Sequence, residues 1–272
     1  MSEEGSSERG VDGEGTAPGH RSSSSTKLLD AIAQDIARDG FAVRTGKEMR
    51  AIMRTRGLEA WPDFASTWDD LGIDKYMADG GRYRRRRFGT FKVTGSVVVR
   101  KNHQPHYQSR DYNILNGGIE RWFMPVKEAV TDNAFAQGLV SYCAALFDMT
   151  SSMKSSVSPW HVEMHQFRIE ATPDETGAPT PEGVHRDGVD WVCVMLIRRS
   201  NVASGVTQIF DRSGRPLGEF TLIDPLDAVL IDDHRVLHGV TPIAPLSSER
   251  KACRDVLVLT YRREHETASE SR

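Results

Sequence analysis

Apolar positions in the first half of the chain fall into short helical phases. Leu28, Leu29, Ile32, Ile36 and Ala37 share one side of a helix beginning at Lys27, with Gly40 as its stop. Phe41-Ala42-Val43 reads as a short strand. Helical spacing returns over Lys47–Arg56, Phe64–Leu71 and Ala129–Phe147. The last of these carries Phe135, Leu139, Tyr142 and Leu146 on one stripe, the mark of a core-facing helix rather than a cofactor pocket. Thr90–Arg100 is β-rich. From His161 onward the period shortens to two, and strands are predicted at Val162–Ile169, Trp191–Ile197, Val206–Phe210, Leu217–Ile223, Ala228–Ile231, Leu237–Val240 and Val256–Tyr261. Turn residues separate them, among them Pro173, Gly177, Ser213-Gly214, Asp224-Pro225 and Pro242. The pattern predicts a mainly β fold with flanking helices, built as a sandwich or barrel rather than a βαβ sheet.

Before Lys27 the pattern vanishes. Ser2–Thr26 is Ser, Gly, Glu and little else, with no apolar anchor, so 1–26 reads as a disordered tail. Residues 27–272 read as a single domain, helical and mixed over 27–150 and β over 160–263. Charge changes the picture little: 35 Lys plus Arg against 38 Asp plus Glu leave a net −3, with no basic field for nucleic acid or anionic lipid. No apolar run nears the roughly 20 residues of a membrane span, and the polar start does not read as a secretory signal. The three cysteines, Cys143, Cys193 and Cys253, are scattered, which excludes a disulfide framework and fits a reducing cytoplasm. Five arginines lie between Arg82 and Arg87. With no aromatic or basic repeat around them, a solvated strand edge or pairing with the chain's carboxylates explains them better than phosphate binding. Neither GxGxxG, GxxxxGK[ST] nor GxSxG occurs, which disfavours nucleotide-binding α/β folds and a serine-nucleophile elbow.

The chemistry concentrates at Gly183-Val184-His185-Arg186-Asp187-Gly188. On a strand, residues two apart face the same way, so His185 and Asp187 are expected to point together. His238 lies 238 − 187 = 51 positions later, in Val236-Leu237-His238-Gly239. Two imidazoles and one carboxylate make the facial triad that holds non-haem Fe(II) with open coordination positions. Arg254 follows at 254 − 238 = 16 positions, on the same face of its strand as Val256, Val258 and Thr260. There its planar fork suits a carboxylate ligand, and a strand-edge ion pair is the plainer alternative. A rival ligand set is His161, Glu163 and His165, which also alternate onto one face. His234 and His238 are four apart, but Asp232-Asp233-His234-Arg235 reads as a turn rather than a zinc-binding helix.

Several stretches together resemble the Fe(II)/2-oxoglutarate dioxygenase family that contains the bacterial L-isoleucine 4-hydroxylase and related free amino-acid hydroxylases. They are Tyr83–Gly89, Pro105–Ser109, Tyr112-Asn113 with Gly117-Gly118, His165–Ile169, Glu182–Gly188, His238–Ile243 and Arg254–Val258, and they span most of the chain after the tail. The resemblance implies a double-stranded β-helix (jelly-roll) core over 160–263. It implies Fe(2+) on His185, Asp187 and His238 as the catalytic centre, with Arg254 on the 5-carboxylate of 2-oxoglutarate. O2 would be the second cosubstrate and succinate and CO2 the by-products, with hydroxylation of an unactivated C–H bond of a free L-amino acid. Arg168, Gln166, Asn113 and Gln108 are the expected substrate contacts, Arg168 for the substrate carboxylate, with a structural ion pair to Glu170 or another acid as the alternative for Arg168. A hydroxylase of a protein or carrier-bound residue is the enzymatic alternative, and a catalytically silent jelly-roll binding module the non-enzymatic one. The expected partner is thus a small molecule, with no nucleic acid and no membrane; oligomeric state leaves no mark in the sequence.

Overall fold

The computed structural model describes Met1 and residues 24–151 and 158–264. Helix α1 (Ser24–Asp39) starts three residues before the expected boundary at Lys27; residues 2–23 of the expected tail lie outside the described residues. Ile32 and Ile36 are buried on its inner side, and Gly40, at φ 83°, ends it by returning its N–H to the Ile36 carbonyl. A capping box of Thr45 and Glu48 starts α2 (Gly46–Met53). After α3 (Trp61–Ser66), the helix expected over Ala129–Phe147 proves to be two, α4 (Glu128–Thr131) and α5 (Ala134–Thr150). Asn133 makes the break: its side chain accepts from the N–H groups of Phe135 and Ala136 and caps a new helix. Phe135, Leu139, Tyr142 and Leu146 are all buried, as the stripe predicts. No helix among the described residues is long and apolar enough to cross a membrane, and the three cysteines are free thiols.

The strands are β1 (Phe41–Arg44), β2 (Gly72–Ile73), β3 (Arg84–Thr94), β4 (Val97–Arg100), β5 (Trp160–Ala171), β6 (Trp191–Ser200), β7 (Val202–Ser204), β8 (Thr207–Asp211), β9 (Pro216–Phe220), β10 (Ala228–Asp232), β11 (Val236–Val240), β12 (Ile243–Pro245) and β13 (Ala252–Arg263). They form one large antiparallel sheet in the order β1-β10-β6-β13-β5-β3-β2, with β4 on β3, and two smaller ones, β11-β8-β9 and β12-β7. Both mainly β character and antiparallel pairing match the sequence pattern. The short pair β7 and β12 carries no periodicity of its own.

The large sheet has two different faces. On one, Val162, Met164, Cys193, Met195, Leu257, Leu259 and Tyr261 pack on the helices in the main hydrophobic core. On the other, alternate residues of β5 and β13 line a cavity. The arginine run corrects the solvated-edge expectation: β3 is paired with β5, and Arg84, Arg86 and Arg87 are buried. The alternative, pairing with carboxylates, holds: Arg84 and Arg86 meet Asp74, Arg85 meets Glu170 and Arg87 meets Asp70.

Candidate active site

The cavity holds about 300 Å³, at the small end of ligand sites, which run roughly 300–1,000 Å³. His161, Glu163, His165, Phe167 and Ile169 of β5 and Arg254, Val256, Val258 and Thr260 of β13 form much of its wall. Both sets follow from the period of two, and the cross-strand register puts Arg254 opposite Ile169 and Thr260 opposite Glu163.

His185, Asp187 and His238 come together at one side of this cavity, although His185 and Asp187 are not on a regular strand. His185 makes one isolated antiparallel bridge with His238, each N–H donating to the other's carbonyl at 2.9 Å. Directly opposed residues project to the same side, which sets the two rings 4.8 Å apart. Asp187 reaches both, its Oδ1 3.6 Å from His185 Nε2 and its Oδ2 3.5 Å from His238 Nε2. His185 Nδ1 donates to the Gly183 carbonyl at 3.0 Å, so Nε2 is the ring nitrogen turned toward Asp187, and it becomes a ligand atom once its proton leaves.

Asp233, which sequence reasoning passed over, shapes this loop from below. Fully buried, it accepts from the N–H groups of Asp187 (3.0 Å), Gly188 (2.8 Å) and Val189 (3.1 Å). Gly188 has φ 78°, and a Cβ there would strike the Tyr112 ring at 2.5 Å, so the turn after Asp187 needs glycine. The charges of the triad are mutually dependent. Burial works against the His185 cation, but the Asp187 carboxylate outweighs it and raises the ring to about 9. His238, desolvated and facing that ring, is pushed down to about 4. Two convergent imidazoles and a single carboxylate, open to a cavity, fit a ferrous ion.

Arg254 lies in the same cavity, 2% exposed, and its Nε and Nη2 are buried with no hydrogen-bond partner among the described residues. Burial, then the neighbouring Arg199 charge, lowers its guanidinium to about 10. Gln108 and Asn113 also line the cavity: Gln108 donates to the Asp187 carbonyl at 3.1 Å, and Asn113 donates to Gln108 at 3.1 Å. Arg168 and Gln166 do not. The alternation of β5 turns them to the helix-facing side, where Gln166 donates to Thr67 and Arg168 grips Asp255 through two bonds of 2.7 and 2.8 Å. Arg198 on β6 closes on the same Asp255, so the expected substrate carboxylate site is a structural ladder across three strands.

The rival ligand set takes a different form: His106, not His161, joins Glu163 and His165 in a group whose ligand atoms lie within 4.8 Å. His106 Nδ1 lies 3.0 Å from Glu163 Oε2, His165 Nε2 3.4 Å from the same oxygen, and His161 Nε2 3.7 Å from Oε1. Arg86 Nη2 lies 2.5 Å from His165 Nδ1 and Lys101 Nζ 2.8 Å from His161 Nδ1. Both cations can only donate, which places the ring protons of His165 and His161 on Nε2, toward Glu163. Burial opposes the Glu163 charge, yet the surrounding imidazoles hold its carboxyl well below the usual range. His234, in contrast, is exposed in a turn and pairs with Asp190.

This jelly-roll arrangement, with a His-Asp-His group and a buried arginine in one cavity, defines the class of 2-oxoglutarate-dependent oxygenases. The chain belongs to the 2OG-Fe dioxygenase family, whose model matches residues 65–260, and the family works with Fe(II), 2-oxoglutarate and O2. It is 25% identical over 240 residues to the 3(1)-hydroxy-L-isoleucine 4-dioxygenase of Pantoea ananatis, covering 86% of this chain and 96% of that protein. To the L-isoleucine-4-hydroxylase of Bacillus thuringiensis it is 29% identical over 195 residues, 70% of this chain and 80% of that protein. Among solved structures, a bsmA homolog from Methylobium petroleophilum aligns with TM-score 0.77 and 36% identity, covering 89% of this chain and 96% of that one. IDO from Bacillus thuringiensis aligns with TM-score 0.72 at 18% identity, covering 87% and 100%.

Proposed function

We propose that this chain hydroxylates an unactivated C–H bond of a free amino acid, with His185, Asp187 and His238 holding the iron and Arg254 holding the distal carboxylate of 2-oxoglutarate. The observation that carries the reading is Arg254: a buried guanidinium without partners costs several kcal/mol unless an anion arrives, and this one opens on the cavity that holds the triad. When bound, the iron would activate O2 as the oxidant, one oxygen atom entering succinate as 2-oxoglutarate loses CO2 and the other entering the substrate C–H bond. The chain's own contribution is geometric. Asp233 and Gln108 fix the loop that presents Asp187, and His185 keeps Nε2 free by spending Nδ1 on Gly183. Valines at 194, 256 and 258 keep the neighbouring wall apolar. The amino-acid class rests on the two relatives named for isoleucine compounds.

The test is anaerobic loading with Fe(II) and 2-oxoglutarate, then exposure to air with each standard amino acid in turn. Amino-acid-dependent succinate release, with a product one oxygen heavier, is the expected result. If no free amino acid stimulates succinate, or a peptide bearing the residue internally reacts as well as the free form, the reading fails.

A further inference from the structure

Two ionisable side chains in the cavity leave hydrogen-bonding capacity unused and have no role in the scheme above: Arg121, which stands over the Phe123 ring at 5.7 Å, and Glu182, which faces His185. Arg121 is 2% exposed, lines the cavity, and makes no side-chain hydrogen bond or ion pair among the described residues; its Nε is buried and unsatisfied. Glu182 makes no hydrogen bond either. Its Oε1 lies 3.5 Å from His185 Nε2, and its Oε2 is buried without a partner. Arg121 and Glu182 form no ion pair with each other. A buried guanidinium with no ion pair, and a carboxylate with one buried oxygen unused, are costly in one cavity unless a ligand carries the complement of both.

The other buried cavity charges are accounted for, and Arg262, at the cavity's edge, is exposed. Arg84 and Arg86 turn to Asp74, and Arg86 is further sandwiched by Phe123 at 3.5 Å and Phe167 at 4.5 Å. Glu163 is already surrounded by three imidazoles, with a hydrogen bond to His106. Backbone geometry fixes the place of Arg121: it is the antiparallel bridge partner of His106, each N–H donating to the other's carbonyl. Its side chain therefore leaves on the same side as the His106 ring, into the cavity.

We infer that Arg121 and Glu182 form the cradle for the substrate's zwitterion, Arg121 taking the α-carboxylate and Glu182 the α-ammonium. This deepens the amino-acid reading and rests on it. The cradle places the ammonium beside His185 and leaves the substrate side chain free to be steered by the apolar wall. It also replaces Arg168, which the fold has committed to Asp255.

The test measures binding, by anaerobic calorimetry on full-length protein loaded with Fe(II) and 2-oxoglutarate. The ligands are the amino acid that best stimulates succinate, its C-terminal amide and its N-acetyl derivative. With the unaltered protein each derivative should bind about 10- to 100-fold more weakly, the worth of one charge-assisted contact. In Arg121→Gln the amide penalty should vanish while the N-acetyl penalty stays; in Glu182→Gln the reverse; in Glu163→Gln both should stay. Equal binding of all three ligands to the unaltered protein overturns the cradle even if a variant fails to fold. A penalty that disappears in Glu163→Gln instead moves the ammonium site and also overturns it. Absence of any stimulating amino acid sinks the amino-acid reading itself, and the cradle with it.

Discussion

The cavity contains two groups of the same composition, two histidines and one carboxylate, each compact enough for a metal ion. They differ in what stands behind the rings. Behind His185 is a carbonyl, which takes the Nδ1 proton and leaves Nε2, facing Asp187, as the nitrogen a cation can claim in place of its proton. Behind His165 is a guanidinium, which occupies Nδ1 as an acceptor and turns Nε2–H onto Glu163. The first group can exchange a proton for a cation; the second offers protons to an anion and carries the positive charge of Arg86 at its back. A ligand set is thus defined by tautomer, and tautomer by the second partner of each ring.

Removing a ligand breaks the comparison most sharply. His185→Ala, Asp187→Ala or His238→Ala should each abolish both iron retention and succinate production, read by metal analysis and turnover. His165→Gln should retain one iron per chain, and loss of iron there would erase the distinction between the groups. Next in size, Arg254→Leu should raise the KM for 2-oxoglutarate roughly 30-fold or more, since truncating a buried charged contact costs about 2–5 kcal/mol. Unaltered saturation by 2-oxoglutarate would move that role to another cation. Asp233→Asn leaves one of three loop N–H donors without an acceptor. It should cost about 1–3 kcal/mol in denaturant unfolding and weaken Fe(II) binding about 10- to 100-fold.

The smallest effect is on acid stability. Burial pushes His165 down to about 3 and His238 to about 4, while in the unfolded chain both rings take up protons near 6.5. The unfolded state then binds more protons below about pH 6.5, so stability should decline as pH falls from there toward 4. The decline should be shallower in His165→Gln. A melting temperature flat from pH 7 to 4.5 would contradict the buried neutral rings.

Much of this was legible in the chain. The period of two along Val256–Tyr261 correctly put Arg254, Val256, Val258 and Thr260 on one face, and the His-x-Asp and distal His came together as their spacing proposed. The same alternation, applied to β5, was assigned to the wrong set: Gln166 and Arg168 share a face, but it is the helix-facing one. Only the pairing of Arg168 with Asp255 across β13 reveals that, and cross-strand register is not written in either strand alone. His185 and Asp187 meet through an irregular loop braced by Asp233, not through strand alternation. Asp233 was visible as part of a turn, yet its three backbone acceptor bonds depend on a segment 44 to 46 residues away. His106 and Arg121 face each other across a single bridge between irregular segments, where no periodicity exists to be read.

The most direct test of the distinction between the two groups is anomalous diffraction from crystals of the protein loaded anaerobically with Fe(II). A single iron peak among His185, Asp187 and His238, with none among His106, Glu163 and His165, is the predicted result. A peak at the second group, alone or in addition, would contradict the account.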